Sequence, residues 1–249
     1  MSYDTKKYIV TGTSGANVRK FPDSSSGSLV TTLAKGTIVS VDSSGTYINT
    51  RGGSSTTYLP VVVDGVRRWA AAGNFAEYTD TPLELAAANL EEVFNACIGC
   101  KHVSGSYSWA TAQKDKKVNC TIPVSRLATL AGILPDGKRI SHKTACSGDI
   151  LTTKTTIAKS MSGYDNLDLT KCAVKYVGAK NYTALASKYK KKGYIYVQDS
   201  NIAVCGGDGS IYACHEWSKQ MSNGKYTKVK LTSGYTKNSP ILVVIMPNA

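Results

Sequence analysis

Histidine is scarce in this 249-residue chain, with three residues at positions 102, 142 and 215. Chemistry that needs an imidazole base must therefore draw on one of these. Apolar runs are short, and none approaches the ~20 residues of a bilayer-spanning helix, so no membrane span is expected. The opening MSYDTKKYIV lacks the apolar core of a secretory signal and passes straight into strand-like sequence. No second C-x-x-C and no H-x-x-H accompanies the pair Cys97 and Cys100. That absence argues against a zinc site, and no metal or other cofactor is expected. The seven cysteines (97, 100, 120, 146, 172, 205, 214) are odd in number, which excludes a fully paired disulfide framework. A chain of this length buries a sufficient core without one.

What is present describes an ordinary globular chain, 42% hydrophobic and 19% charged. The net charge of +13 is unevenly placed. Residues 1–80 hold eight Lys/Arg against six Asp/Glu, and residues 81–249 hold twenty-two against eleven. The second segment is the basic one, through clusters such as Lys114, Lys116, Lys117 and Lys188, Lys190, Lys191, Lys192. Such a surface attracts polyanions, or simply keeps the chain in solution. No interleaved aromatic-basic signature of a nucleic-acid module is present, so nucleic acid is not the expected partner.

Residues 6–78 predict short strands parted by Gly/Ser/Asp turns: Tyr8–Thr11, Asn17–Arg19, Leu29–Leu33, Thr37–Val41, Tyr47–Thr50, Tyr58–Val63 and Trp69–Ala71. No helical periodicity interrupts them, which implies a small all-β barrel or sandwich over residues 1–80. Tyr8-Ile-Val-Thr, Asn17-Val-Arg19, Leu33-Ala-Lys-Gly36 and Arg68-Trp69 together resemble the bacterial SH3 domains of cell-wall proteins. That resemblance implies a small SH3-like barrel that targets wall polymers.

From residue 81 the period changes. Leu83, Leu85, Leu90, Val93, Phe94 and Cys97 recur at helical spacing with alanines between them. A second helix is expected from about Thr121 to Ala131, with Pro123 in its first turn and Gly132 as its stop. Later come β-rich runs at Tyr194–Val197, Ile202–Cys205 and Ser210–Cys214, the last two joined by a Gly206-Gly-Asp-Gly209 hairpin. Helices followed by a sheet make residues 81–249 an α+β domain.

Cys120 lies where a loop turns into the second helix. Free N–H groups and the helix dipole favour a thiolate there, as a cysteine nucleophile requires. Around it stand Tyr107-Ser-Trp109-Ala110, Asn119-Cys120-Thr121, Gly193-Tyr-Ile-Tyr and Asn201-Ile-Ala-Val-Cys-Gly-Gly-Asp-Gly209. In order and spacing these resemble the NlpC/P60 cell-wall peptidases, a compact papain-like family, over residues 86–217. Their pattern is Tyr-x-Trp-Gly, then Asp-Cys-Ser-Gly, then His-Val-Gly-Ile-Tyr-x-Gly-x-Gly. The resemblance implies that Cys120 is the nucleophile of a peptidase or amidase acting on peptidoglycan. Tyr107 and Trp109 would line the substrate cleft, and Asn119 would take the place of the family's aspartate.

The family's histidine position holds Asn201, and the polar position twelve residues later holds Ala213. The base has moved or gone. A three-residue turn at Gly207-Asp-Gly209 would set Asn201 opposite His215, making His215 the candidate base and Asn201 a polar neighbour; a two-residue turn shifts the register. His142 reaches the cleft only if its loop folds over it, and His102 reads as a surface residue. The expected partners are peptidoglycan and anionic wall polymers. The whole resembles a phage or prophage endolysin, made in the cytoplasm and acting on the wall after release or lysis. The alternative is a catalytically degenerate protein that binds the wall without cutting it.

Overall fold

The computed structural model describes residues 4–50, 55–105, 107–140, 166–198, 201–216, 220–232 and 240–249. The chain divides into two compact units, Met1–Thr79 and Asp80–Ala249.

The first unit is built of β1 (Thr5–Val10), β2 (Ala16–Arg19), β3 (Leu29–Leu33), β4 (Ile38–Asp42), β5 (Tyr47–Asn49), β6 (Thr56–Val63), β7 (Val66–Ala71) and β8 (Phe75–Glu77). They hydrogen-bond in the order β3-β2-β7-β6-β4-β1-β8, with β5 also on β6, and every pair is antiparallel. Local chemistry sets the tight turns. Asp64 and Gly65 both take positive φ (51° and 73°), so a two-residue turn of the type that suits strand twist joins β6 to β7. At Gly15, with φ 80°, an added Cβ would stand 2.2 Å from the Leu33 carbonyl oxygen, so only glycine fits beside β3. Alternate residues turn inward, and Val18, Val39, Val41, Leu59, Val61 and Ala70 make the core.

In the second unit, α1 (Pro82–Asn95) opens with a reciprocal cap. The Thr81 hydroxyl accepts from the Glu84 N–H, the Glu84 carboxylate accepts from the Thr81 N–H, and Pro82 fills the first turn. The charged stretch between Trp109 and Val118, expected from its composition to be a loop, instead opens with α2 (Trp109–Asp115). Ser108 caps this helix by accepting from the Thr111 N–H, and Lys116 ends it at φ 54°. Then follow α3 (Thr121–Leu130) and the short strands β9 (Lys101–His102) and β10 (Lys117–Val118), paired in parallel.

The larger sheet contains β11 (Cys172–Ala179), β12 (Ile195–Gln198), β13 (Ile202–Cys205) and β14 (Ile211–Tyr212). Beyond these lie β15 (Met221–Ser222), β16 (Lys225–Tyr226), β17 (Lys230–Leu231) and β18 (Ile241–Pro247). Its order is β11-β18-β12-β13-β14-β17, antiparallel throughout, while β10-β9-β16-β15 form a smaller sheet. Residues alternate cleanly between the faces of the larger sheet. Ile195, Val197, Ile202, Val204, Tyr212 and Cys214 join the core with α1 and α3. Tyr194, Tyr196, Ala203, Cys205, Ile211 and Ala213 belong to a second core on the other face. The α3 helix packs across β13, and this crossing positions Cys120.

Candidate functional site

Cys120 precedes the first residue of α3 and is 5% exposed. Asn119 shapes the helix start: its Oδ1 accepts from the Thr121 N–H (3.1 Å) and the Thr121 hydroxyl (2.9 Å). Its Nδ2 donates to the Gly105 carbonyl (2.8 Å), tying the chain ahead of α2 to the start of α3. The backbone of Ile202 in β13 favours the Cys120 thiolate, and α3 packs against that strand, so the sulfur lies between helix and sheet.

The electrostatics there run against the expected thiolate. Burial pushes the Cys120 thiol up to about 11; the Ile202 backbone and the Arg139 guanidinium oppose this without overcoming it. Loss of hydration outweighs the field of a helix terminus. The resting thiol is protonated at neutral pH. Its neighbours in the helix-side core, Cys97, Cys100 and Cys214, are likewise buried and free. Among the described residues no His/Cys/Asp/Glu group has the arrangement of a metal site.

A cleft of about 550 Å³ lies over α3; Cys120 itself does not line it, and Arg139, whose charge acts on the thiol, does. Ile122, Ser125, Arg126 and Thr129 form its floor along one face of α3, at the spacing that stacks side chains on a helix. Tyr107 and Trp109 wall one side, both packed against the core that contains Cys120. Asp136, Lys138 and Arg139 wall the other. Sequence reading missed Arg139, which lies nineteen positions from Cys120; no local pattern marks it.

The hairpin after β13 resolves the register. Val204 pairs with Tyr212 and Cys205 with Ile211, and the Gly206 N–H donates to the Ser210 carbonyl (2.9 Å). Gly207-Asp208-Gly209 is thus a three-residue turn with both glycines at positive φ; the pairing ends at Val204–Tyr212, and the same register carried further would set His215 opposite Asn201, on the face away from α3. Asn201 is 2% exposed, and its Nδ2 donates to Gln198 Oε1 (3.0 Å) on the neighbouring strand. By strand alternation Asn201 and Gln198 belong to the face away from α3. His215 follows the end of β14 and is half-buried, its backbone N–H donating to Gln220 Oε1 (3.3 Å). His102 is not a surface residue. Its Nδ1 pairs with the Tyr226 hydroxyl, its Nε2 lies 3.6 Å from the Glu216 carboxylate, and burial lowers its pKa. His142 lies outside the described residues.

No family model matches the chain, and no curated protein sequence matches it. Among solved structures, NlpC2 from Trichomonas vaginalis is similar at 10% identity over 96% of this chain and 71% of its own, with a TM-score of 0.34. NlpC1 from the same organism is similar at 12% identity over 96% of this chain and 68% of its own, with a TM-score of 0.31. These are loose likenesses. Fold and chemistry here rest on the chain's own residues.

Proposed function

We propose that the protein is a cell-wall peptide hydrolase, a cysteine peptidase or amidase in which Cys120 attacks an amide carbonyl. The observation that carries this reading is the placement of Cys120 at the start of α3 against β13, on the helix whose next turns, with Arg139, line a cleft of peptide dimensions. In this reading residues 80–249 form a papain-like domain, and residues 1–79 form an SH3-like module that brings it to peptidoglycan. Action on the wall would follow release or lysis, as for an endolysin.

The chemistry divides into two steps. The Cys120 sulfur bonds to the carbonyl carbon while its proton passes to a base and on to the departing amine. Backbone N–H groups at the start of α3 hold the oxyanion. Water then cleaves the thioester, releasing the acid and restoring the thiol. Because the resting thiol is protonated, the base must act in the substrate complex; His215 takes that role only if its ring, beyond the end of β14, turns to the α3 face, and otherwise the choice passes to His142 or to binding without cleavage. Tyr107 and Trp109 would hold the substrate, with Asn119 fixing the approach to Cys120.

A second reading, binding without cleavage, is favoured by the high thiol pKa and by the engagement of Asn201 with Gln198. Purified peptidoglycan separates the two. Hydrolysis predicts release of new amines by the parent and none by Cys120→Ala, while wall binding persists in both. Equal release by the two proteins, or binding with no release, rejects the hydrolase.

A further inference from the structure

We propose that the cleft on α3 is a carboxylate-recognition site, in which Arg139 docks the free terminal carboxylate of a short peptide. The choice of a peptide rests on the hydrolase reading; the anion chemistry rests on the side chains themselves.

Arg139 is held in place by α3. Its Nη2 donates to Thr121 Oγ1 (2.7 Å), and the N–H of the next residue, Ile140, donates to Ser125 Oγ (3.0 Å). Thr121 and Ser125 are four positions apart, so they present both anchors on one helix face. Ile140 is fully buried and fastens the segment from behind. The guanidinium therefore reaches the cleft with little freedom left to lose on binding.

One end of that fork is unused. Arg139 Nη1 is buried and has no hydrogen-bond partner among the described residues. A buried donor without an acceptor is costly, and a ligand that supplies one relieves the cost. Carboxylates match the planar fork in charge and geometry. Arg126 and Lys138 add positive charge to the lining against the single carboxylate of Asp136. This charge attracts monoanion and dianion alike, so the choice of a peptide terminus over a phosphate rests on the apolar walls. Tyr107 and Trp109 offer the apolar wall that a peptide can cover.

The test titrates the intact full chain with N-acetyl-D-Ala-D-Ala and with its C-terminal amide. Binding is followed by NMR shifts of the probe, which also report any turnover. The acid should bind roughly ten- to hundredfold more tightly than the amide. Arg139→Gln should erase that preference and Arg139→Lys should keep part of it, in variants shown to be folded by circular dichroism. Equal binding of acid and amide to the parent, binding of neither, or a preference that survives in folded Arg139→Gln overturns the site. Glycerol phosphate competing more tightly than the acid overturns the peptide assignment. A preserved acid preference alongside absent peptidoglycan cleavage removes the hydrolase reading alone; cleavage without the preference removes the site alone.

Discussion

Ile202 and Cys120 come together where β13 crosses the start of α3, and the backbone of Ile202 favours the Cys120 thiolate. The contact puts main-chain polarity beside the thiol, while the side chain of the adjacent Asn201 is engaged with Gln198 instead. Arg139 then supplies positive charge to the sulfur from the cleft side.

Cys120 should alkylate slowly in the native protein at pH 7.5 and much faster at pH 10.5. The folded thiol titrates at about 11, above the ordinary 9.0, so the protonated form stabilises the fold. That contribution is complete below pH 9.0 and fades as the pH climbs towards 11. Mass spectrometry after brief iodoacetamide treatment, native against urea-unfolded, reads the rates site by site. Native labelling at pH 7.5 as fast as in the unfolded chain contradicts a buried, protonated thiol.

The proposal of His215 as base makes a kinetic prediction, one that requires its ring to reach the α3 face from beyond the end of β14. If His215 is the base, His215→Ala should lower peptidoglycan turnover by on the order of 10²–10⁴ with folding intact. The parent's pH–rate profile should then show an acid limb that His215→Ala removes. A rate that rises monotonically to pH 10 and is untouched by His215→Ala shows the thiol ionising without that histidine.

Phe94 is fully buried in α1 and meets Tyr212 of β14 ring to ring, with centroids 5.6 Å apart. Truncation to alanine leaves a cavity between helix and sheet and should cost about 3–5 kcal/mol. Urea unfolding of the full chain, monitored for residues 80–249 by hydrogen exchange, measures it. A loss below about 1 kcal/mol would mean that α1 is not seated on this sheet as described.

Much of the local architecture was legible in residue patterns. Short β-rich runs bounded by turn residues marked β2, β3 and β13 to within a residue at each end, and apolar spacing marked α1 and α3. Other signals were present but not read. Asp64-Gly65 announces the β6–β7 hairpin, and the unbroken apolar run of β18 marks a strand buried on both faces. The Gly206–Gly209 segment allowed two turn lengths, and only pairing between β13 and β14 selected the three-residue form.

The site divides along the same line. The place of Cys120 at a helix start follows from neighbours in sequence, since loop, cap and helix are all within a few residues. Its ionisation does not. A helix terminus contributes about 0.3–1 kcal/mol, whereas burial shifts an ionisable group by up to several pKa units. Burial comes from β13, some eighty positions away. Arg139 reaches the thiol and the cleft only because Thr121 and Ser125 of α3 anchor that stretch of chain. Contacts at such separations leave no periodic trace in a single chain; they exist only once helix and sheet have packed.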